Sequence, residues 1–200
     1  MVLEVYRKIL VVTTMILILI AIYPTLSLLL TITAPSREPF SEFSILGPNH
    51  VAKDYPFNVS VDEEYHVFVD VRNYLTGPAY YLVYVKLRNQ SQPSPNLSNV
   101  APSSLPSLYE FRFLLDRAGN YEIPLTFGFS GISHLNDSCV LSRMSINNIT
   151  RPVEYRSVWD QRRSGFYYQL FFELWLYNED SESFQFDNRV VGIWLNMTTC

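Results

Sequence analysis

The stretch Phe166-Tyr167-Tyr168-Gln169-Leu170-Phe171-Phe172-Glu173-Leu174-Trp175-Leu176-Tyr177 decides the fold. At period two it places Phe166, Tyr168, Leu170, Phe172, Leu174 and Leu176 on one face and Tyr167, Gln169, Phe171, Glu173, Trp175 and Tyr177 on the other. The first set is a core face, and the second is aromatic enough to be covered too. Asn178 to Ser183 is a polar turn and Phe184 to Met197 returns, so a hairpin of two long strands closes the chain. No helical period of comparable length competes after residue 40.

The same alternation runs back toward the N-terminus. Val67, Val69 and Val71 share a face of a strand His66 to Arg72, and Tyr81, Val83, Val85 and Leu87 share a face of a strand Ala79 to Arg88. Strands are also expected at Glu42 to Leu46, Phe57 to Val61, Leu108 to Leu115 and Glu122 to Phe129. The pattern is weaker from Ser130 to Gly165, with short strands at Val140 to Ile146 and Val153 to Trp159. Asn89 to Ser107, rich in Asn, Ser and Pro, is a long loop, of a length that tends to be functional or disordered. Connections too short for helical crossovers predict a meander of antiparallel strands. Asp116, Gly119 and Tyr121 at a strand start look like the tyrosine corner of immunoglobulin-type sandwiches. The expected class is all-β, an immunoglobulin-like antiparallel β-sandwich over residues 41–200.

Ahead of it, Ile9 to Thr33 carries no charged side chain. At about 1.5 Å per residue it reaches roughly 37 Å, enough to cross a hydrocarbon core of about 30 Å. Membrane lipid is therefore the expected partner of Ile9 to Thr33. Arg7 and Lys8 precede the run with only Glu4 opposing, which puts residues 1–8 in the cytoplasm and the C-terminal domain outside the cell. A cleaved signal peptide is the competing reading, but its apolar region is shorter and Thr31-Ile32-Thr33-Ala34 is a poor cleavage site. Pro24 predicts a kink, and Ala34 to Phe40 reads as a short extended linker.

Phe43-Ser44-Ile45-Leu46-Gly47-Pro48, then Asp54-Tyr55-Pro56-Phe57-Asn58-Val59-Ser60-Val61 and the valine-alternating strand, resemble the C-terminal domain of the archaeal membrane proteins grouped as domain of unknown function 1616. Leu170 to Tyr177 and Gly192 to Thr198 are similar to that family's last two strands. The resemblance implies an immunoglobulin-like domain on an archaeal membrane protein and no particular chemistry. Family members often carry several membrane helices where this chain has one, and residues 130–165 have no counterpart there.

Composition excludes some functions. A net charge of −4 without a basic stripe argues against nucleic acid as a partner. His50, His66 and His134 lack metal-ligand spacing, and Asp62-Glu63-Glu64 lacks the spaced carboxylates of a calcium loop, so no metal or other cofactor is expected. Gly128-Phe129-Ser130-Gly131 is one residue short of a nucleophile elbow, and Glu179, Asp180 and Glu182 sit in a polar turn, so no catalytic residue is assigned and the chain is not read as an enzyme.

Asn-x-Ser/Thr sequons stand at Asn58, Asn89, Asn96, Asn136, Asn148 and Asn196, about three times the number chance gives, and predict N-linked glycans on an outward-facing domain. Asn89 and Asn96 are the favoured acceptors. Cys139 and Cys200 either close a loop of about 60 residues or remain free buried thiols, and the sequence leaves both open. Tyr80, Tyr84, Tyr167 and Trp175 form either a binding face for carbohydrate or another small ligand, or a second core layer under loops, which is the favoured reading. The functional expectation is contact with a protein partner in the cell envelope, or an accessory role in a membrane complex.

Overall fold

The computed structural model describes residues 2–33 and 38–200, with side chains described at 3–24 and 38–200. It divides into two units, Met1–Glu38 and Pro39–Cys200. In the first, α1 (Val2–Thr33) passes through Pro24 without interruption and begins seven residues before Ile9, so the segment expected as a cytoplasmic leader is helical from Val2. The hydroxyls of Thr13 and Thr14 donate back to the carbonyls of Ile9 and Leu10, which satisfies them without water. A helix this long and apolar near an N-terminus serves as a membrane anchor or as a signal sequence. Residues 34–37 of the expected linker lie outside the described residues.

The second unit is a sandwich of two five-stranded sheets. One orders β1 (Ser41–Leu46), β3 (Glu64–Asn73), β6 (Asn120–His134), β7 (Ser138–Ile146) and β8 (Ile149–Val158). The other orders β2 (Asn58–Val59), β10 (Ser183–Met197), β9 (Phe166–Asn178), β4 (Ala79–Asn89) and β5 (Tyr109–Leu115). All pairings are antiparallel except the short β2, which runs parallel to the end of β10.

In immunoglobulin lettering, β1, β3 and β6 occupy A, B and E, while β4, β9 and β10 occupy C, F and G, with β5 as C′. The hairpin β7–β8 lies beside E, where D lies in immunoglobulin domains, but it follows E in sequence. The expected meander is therefore wrong. The chain leaves one sheet after β3, makes β4 and β5 in the other, and returns at β6. Period-two patterning says which face is buried but not which sheet a strand joins.

The two inner faces meet as the alternation predicts. Val67, Val69 and Val71 are buried opposite Tyr81, Val83, Val85, Tyr168, Leu170, Phe172 and Leu174. Each large apolar side chain so buried contributes about 1.5–3 kcal/mol. Strand prolines fall where no ladder donor is needed: Pro124 precedes the start of the β6–β7 pairing at Phe127, and Pro152 lies on the edge strand β8.

The weakly patterned region turns out to be two full strands. Their outward faces are polar, and a register shift between Leu141 and Arg143 breaks the alternation. The turns after β3 and β5 are joined by buried Asn73, whose side-chain nitrogen donates to Gly77 O, Leu115 O and Asp116 O at 2.9, 3.1 and 3.2 Å while its oxygen accepts from Leu75 N–H. No tyrosine corner forms at Tyr121, which begins strand E rather than F and packs exposed against Phe113 at 5.1 Å. Two buried hydroxyls cross the sandwich: Tyr81 meets Ser41 Oγ at 3.0 Å, and Tyr168 donates to Cys139 O at 2.7 Å, its phenol pushed up by burial.

Candidate functional site

The outer face of the β4–β9–β10 sheet carries the aromatic residues singled out above, and the loop 90–107 lies over part of it. Leu82, Phe171 and Tyr167 are buried there, while Tyr84 and Trp175 are half-buried and meet edge to face at 5.6 Å. Tyr80 keeps 37% of its surface exposed and packs on Phe184. At the centre of this face Lys86 and Glu173 form a buried ion pair at 2.8 Å. The loop is clamped to it through one residue. Ser103 N–H donates to Glu173 Oε1 at 2.6 Å, and Lys86 Nζ donates to Ser103 O at 2.8 Å. The long loop is thus a strap over a second core layer, and these rings do not stand free as a stacking platform.

The open side of the sandwich is different. β1 and the run of β10 before its pairing with β2 are both sheet edges, with a groove of about 800 Å³ between them. Asn196 N–H donates to Phe57 O and Thr198 N–H to Val59 O, so the even-numbered residues here turn their backbone groups away from β9. By the alternation of an antiparallel ladder, Val190, Gly192 and Trp194 turn theirs to the same open edge. On β1, Phe40 O accepts from Tyr74 N–H, so Ser41, Phe43 and Ile45 turn their backbone groups outward, and Ile45 O is taken by the Tyr55 hydroxyl at 2.8 Å. Phe43, Ile45, Val191 and Ile193 make the groove apolar, and Tyr55, Phe57 and Trp194 border it. Sequence reasoning missed this site. Period-two patterning does not mark which strand ends at a sheet edge, and Gly192, midway along β10, marks close approach to β9 instead, where an added Cβ would lie 2.8 Å from Phe171 Cβ.

Among the sequons, Asn96, Asn136 and Asn148 are exposed in turns with no hydrogen bond on the side-chain nitrogen among the described residues, whereas Asn89 donates to Arg156 O at 2.8 Å and Asn196 donates to Asn58 Oδ1 at 3.0 Å. Cys139 on β7 and Cys200 at the C-terminus form a disulfide with their Cα atoms 5.7 Å apart. The histidines lie apart: His50 contacts Glu122 at 2.6 Å, His66 pairs with Thr126 at 2.9 Å, and His134 packs on Phe166. Among the described residues no three metal-ligating side chains converge. At the β10 bulge, burial raises the Asp187 carboxyl above the ordinary carboxylate value, against the pull of Arg189 at 3.3 Å.

The architecture defines an all-β, immunoglobulin-like sandwich preceded by one apolar helix. No protein-family model matches the chain and no curated protein matches it. Among solved structures it is similar to the CARDB domain of a Pyrococcus furiosus protein crystallised in complex with di-metal ions, at 11% identity and a TM-score of 0.42, over 81% of this chain and 90% of that one. It is also similar to a β-glucosidase from Listeria innocua in complex with gluconolactone, at 11% identity and a TM-score of 0.33, over 80% of this chain and 17% of that one. The sandwich implied by the resemblance to domain of unknown function 1616 is present, while membership of that family has no matching model behind it.

Proposed function

We propose that this chain is a single-pass, membrane-anchored extracellular module, N-terminus in the cytoplasm, that acts by protein–protein contact rather than by catalysis. Its setting is the archaeal cell envelope, free-standing or as an accessory subunit of a membrane complex. The apolar helix supports the anchor, Arg7 and Lys8 support the orientation, and six sequons support the outward side. The resemblance to an archaeal membrane family supports the setting.

The observation that carries the contact role is the groove with a free strand edge on each side. An extended segment of a partner laid along β10 meets the N–H and C=O groups of Val190, Gly192 and Trp194, while alternate side chains enter the apolar groove over Val191, Ile193 and Phe43. The main-chain bonds then supply affinity, and the groove supplies selectivity. Exposed edges invite pairing, which is why proteins commonly cover them.

The test is photo-crosslinking from native membranes, with p-benzoylphenylalanine placed at Val190, at Trp194 or, as a control, at Arg151 on the β8 edge. A discrete adduct severalfold stronger from the first two positions is expected. Equal labelling from all three positions removes the groove from the argument. External protease that spares the domain in intact cells, while digesting another surface protein, refutes the placement.

A further inference from the structure

At the disulfide end of the sandwich a second cavity, of about 560 Å³, is lined by His134, Trp159 and Phe166. Phe166, only 4% exposed, forms its floor. Trp159 packs against that floor at 5.1 Å with the ring planes at 71°, and His134 packs against it at 5.8 Å and 80°. His134 ends β6 and Trp159 follows β8, so both rings reach Phe166 from the β6–β7–β8 sheet and line the same cavity. Asp137, Ser164 and Thr198 add hydroxyl and carboxylate groups to the lining. Trp159, 44% exposed, is the most exposed of the three tryptophans.

Aromatic walls with a few polar groups at the rim suit a pyranose, which has apolar C–H faces and an equatorial belt of hydroxyls. The frame is rigid. Cys139 lies directly across from His134 in the β6–β7 ladder, and Cys200, bonded to it, also lines the cavity. Gly165 allows the close wall: a Cβ there would lie 2.1 Å from Asn196 Oδ1.

A source for the sugar is adjacent. Leu135 N–H donates to Ser138 O across a two-residue turn, Asn136-Asp137, which holds the acceptor of the Asn136-Asp137-Ser138 sequon. Asn136 is exposed with a φ of 45°, and its neighbour Asp137 both lines the cavity and accepts from Trp159 N–H at 3.1 Å.

We propose that the trough between Trp159 and His134 holds a pyranose ring of the chain's own N-linked glycan at Asn136. This rests on the outward placement proposed above. It goes beyond that reading by choosing one sequon among six and giving its glycan a seat. The carbohydrate site is then Trp159 with His134, not the strapped face of Tyr84 and Trp175.

The experiment uses full-length protein from the native host in detergent micelles. Glycopeptide mass spectrometry reads the occupancy of each sequon, and thermal melts compare wild type, Asn136→Gln, Trp159→Ala, Trp159→Phe and the double variant N136Q/W159A. Expected are an occupied Asn136, a loss of about 2–4 °C for N136Q and for W159A, partial retention in W159F, and no further loss in the double variant. Additive losses overturn the proposal. So does an empty Asn136 while Asn96 or Asn148 carries glycan, which leaves the outward placement standing. No glycan on any sequon overturns both. Fluorescence quenching of the wild type with an occupied Asn136 by added N-acetylglucosamine, absent from W159A, keeps the trough as a sugar site but overturns Asn136 as the source, whereas quenching of N136Q alone supports it.

Discussion

Replacing Glu173 by Gln tests the strap over the outer sheet face. The carboxylate is fully buried, with one oxygen accepting from Ser103 N–H at 2.6 Å and the other 2.8 Å from the Lys86 ammonium. The second contact has the distance of an ion pair but not the angles of a hydrogen bond, so its worth is mainly coulombic. Glutamine keeps the shape and removes the charge, leaving the buried Lys86 ammonium with Ser103 O and the Tyr84 ring 5.7 Å away, and no counter-charge.

Breaking a buried pair from one side costs about 3–5 kcal/mol. In a domain of this size that corresponds to a fall of roughly 6–20 °C in Tm. The double replacement K86M/E173L removes both charges and is expected to recover most of that loss, since apolar isosteres of buried pairs are often neutral. It still strips Ser103 N–H and O of their two partners, but both groups regain water once the strap lifts, so the cost falls on the strap rather than on the fold. The strap should therefore loosen even where stability returns.

Thermal melts followed by circular dichroism read the first effect, and limited proteolysis within residues 90–107 reads the second. The expected order in Tm is wild type, then the double variant, then E173Q, with faster cleavage in both variants. Wild-type stability in E173Q, or a double variant no more stable than E173Q, refutes the clamp.

Two further outcomes follow from the same structure. Reducing the Cys139–Cys200 bond, which spans 61 residues, restores about 4 kcal/mol of chain entropy to the unfolded state and lowers Tm by roughly 8–16 °C; melts with and without reductant check this, and unchanged curves refute it. Because burial holds Asp187 above its ordinary value, the folded chain keeps that proton where the unfolded chain has lost it. Its contribution to stability thus falls as pH rises from about 4 through the raised folded value, and then levels. Asp187→Asn should remove that fall, and parallel pH–stability curves for wild type and variant contradict the assignment.

The helix, the long strands and the buried faces were legible in the sequence because each depends only on local periodicity. The valines of β3, the alternating core face of β4 and the double apolar face of β9 lie where period two puts them. Expectations that needed a partner strand failed or stayed open. The meander became two sheets, since alternation does not encode sheet membership, and Tyr121 proved to begin E rather than F. The weak middle became β7 and β8, whose polar outer faces and shifted register hide the alternation.

What the sequence determined by itself is the kind of structure: an apolar N-terminal helix and an alternating chain that must bury one side of each strand. Side-chain period is set by backbone geometry, so it survives any rearrangement of the strands. Only the tertiary structure decided that Ser103 reaches a buried ion pair, that β1 and β10 leave their edges open beside one groove, and that Trp159 and His134 both pack on Phe166. Each of these joins residues far apart in the chain, and such meetings are fixed by which strands pair and in what register.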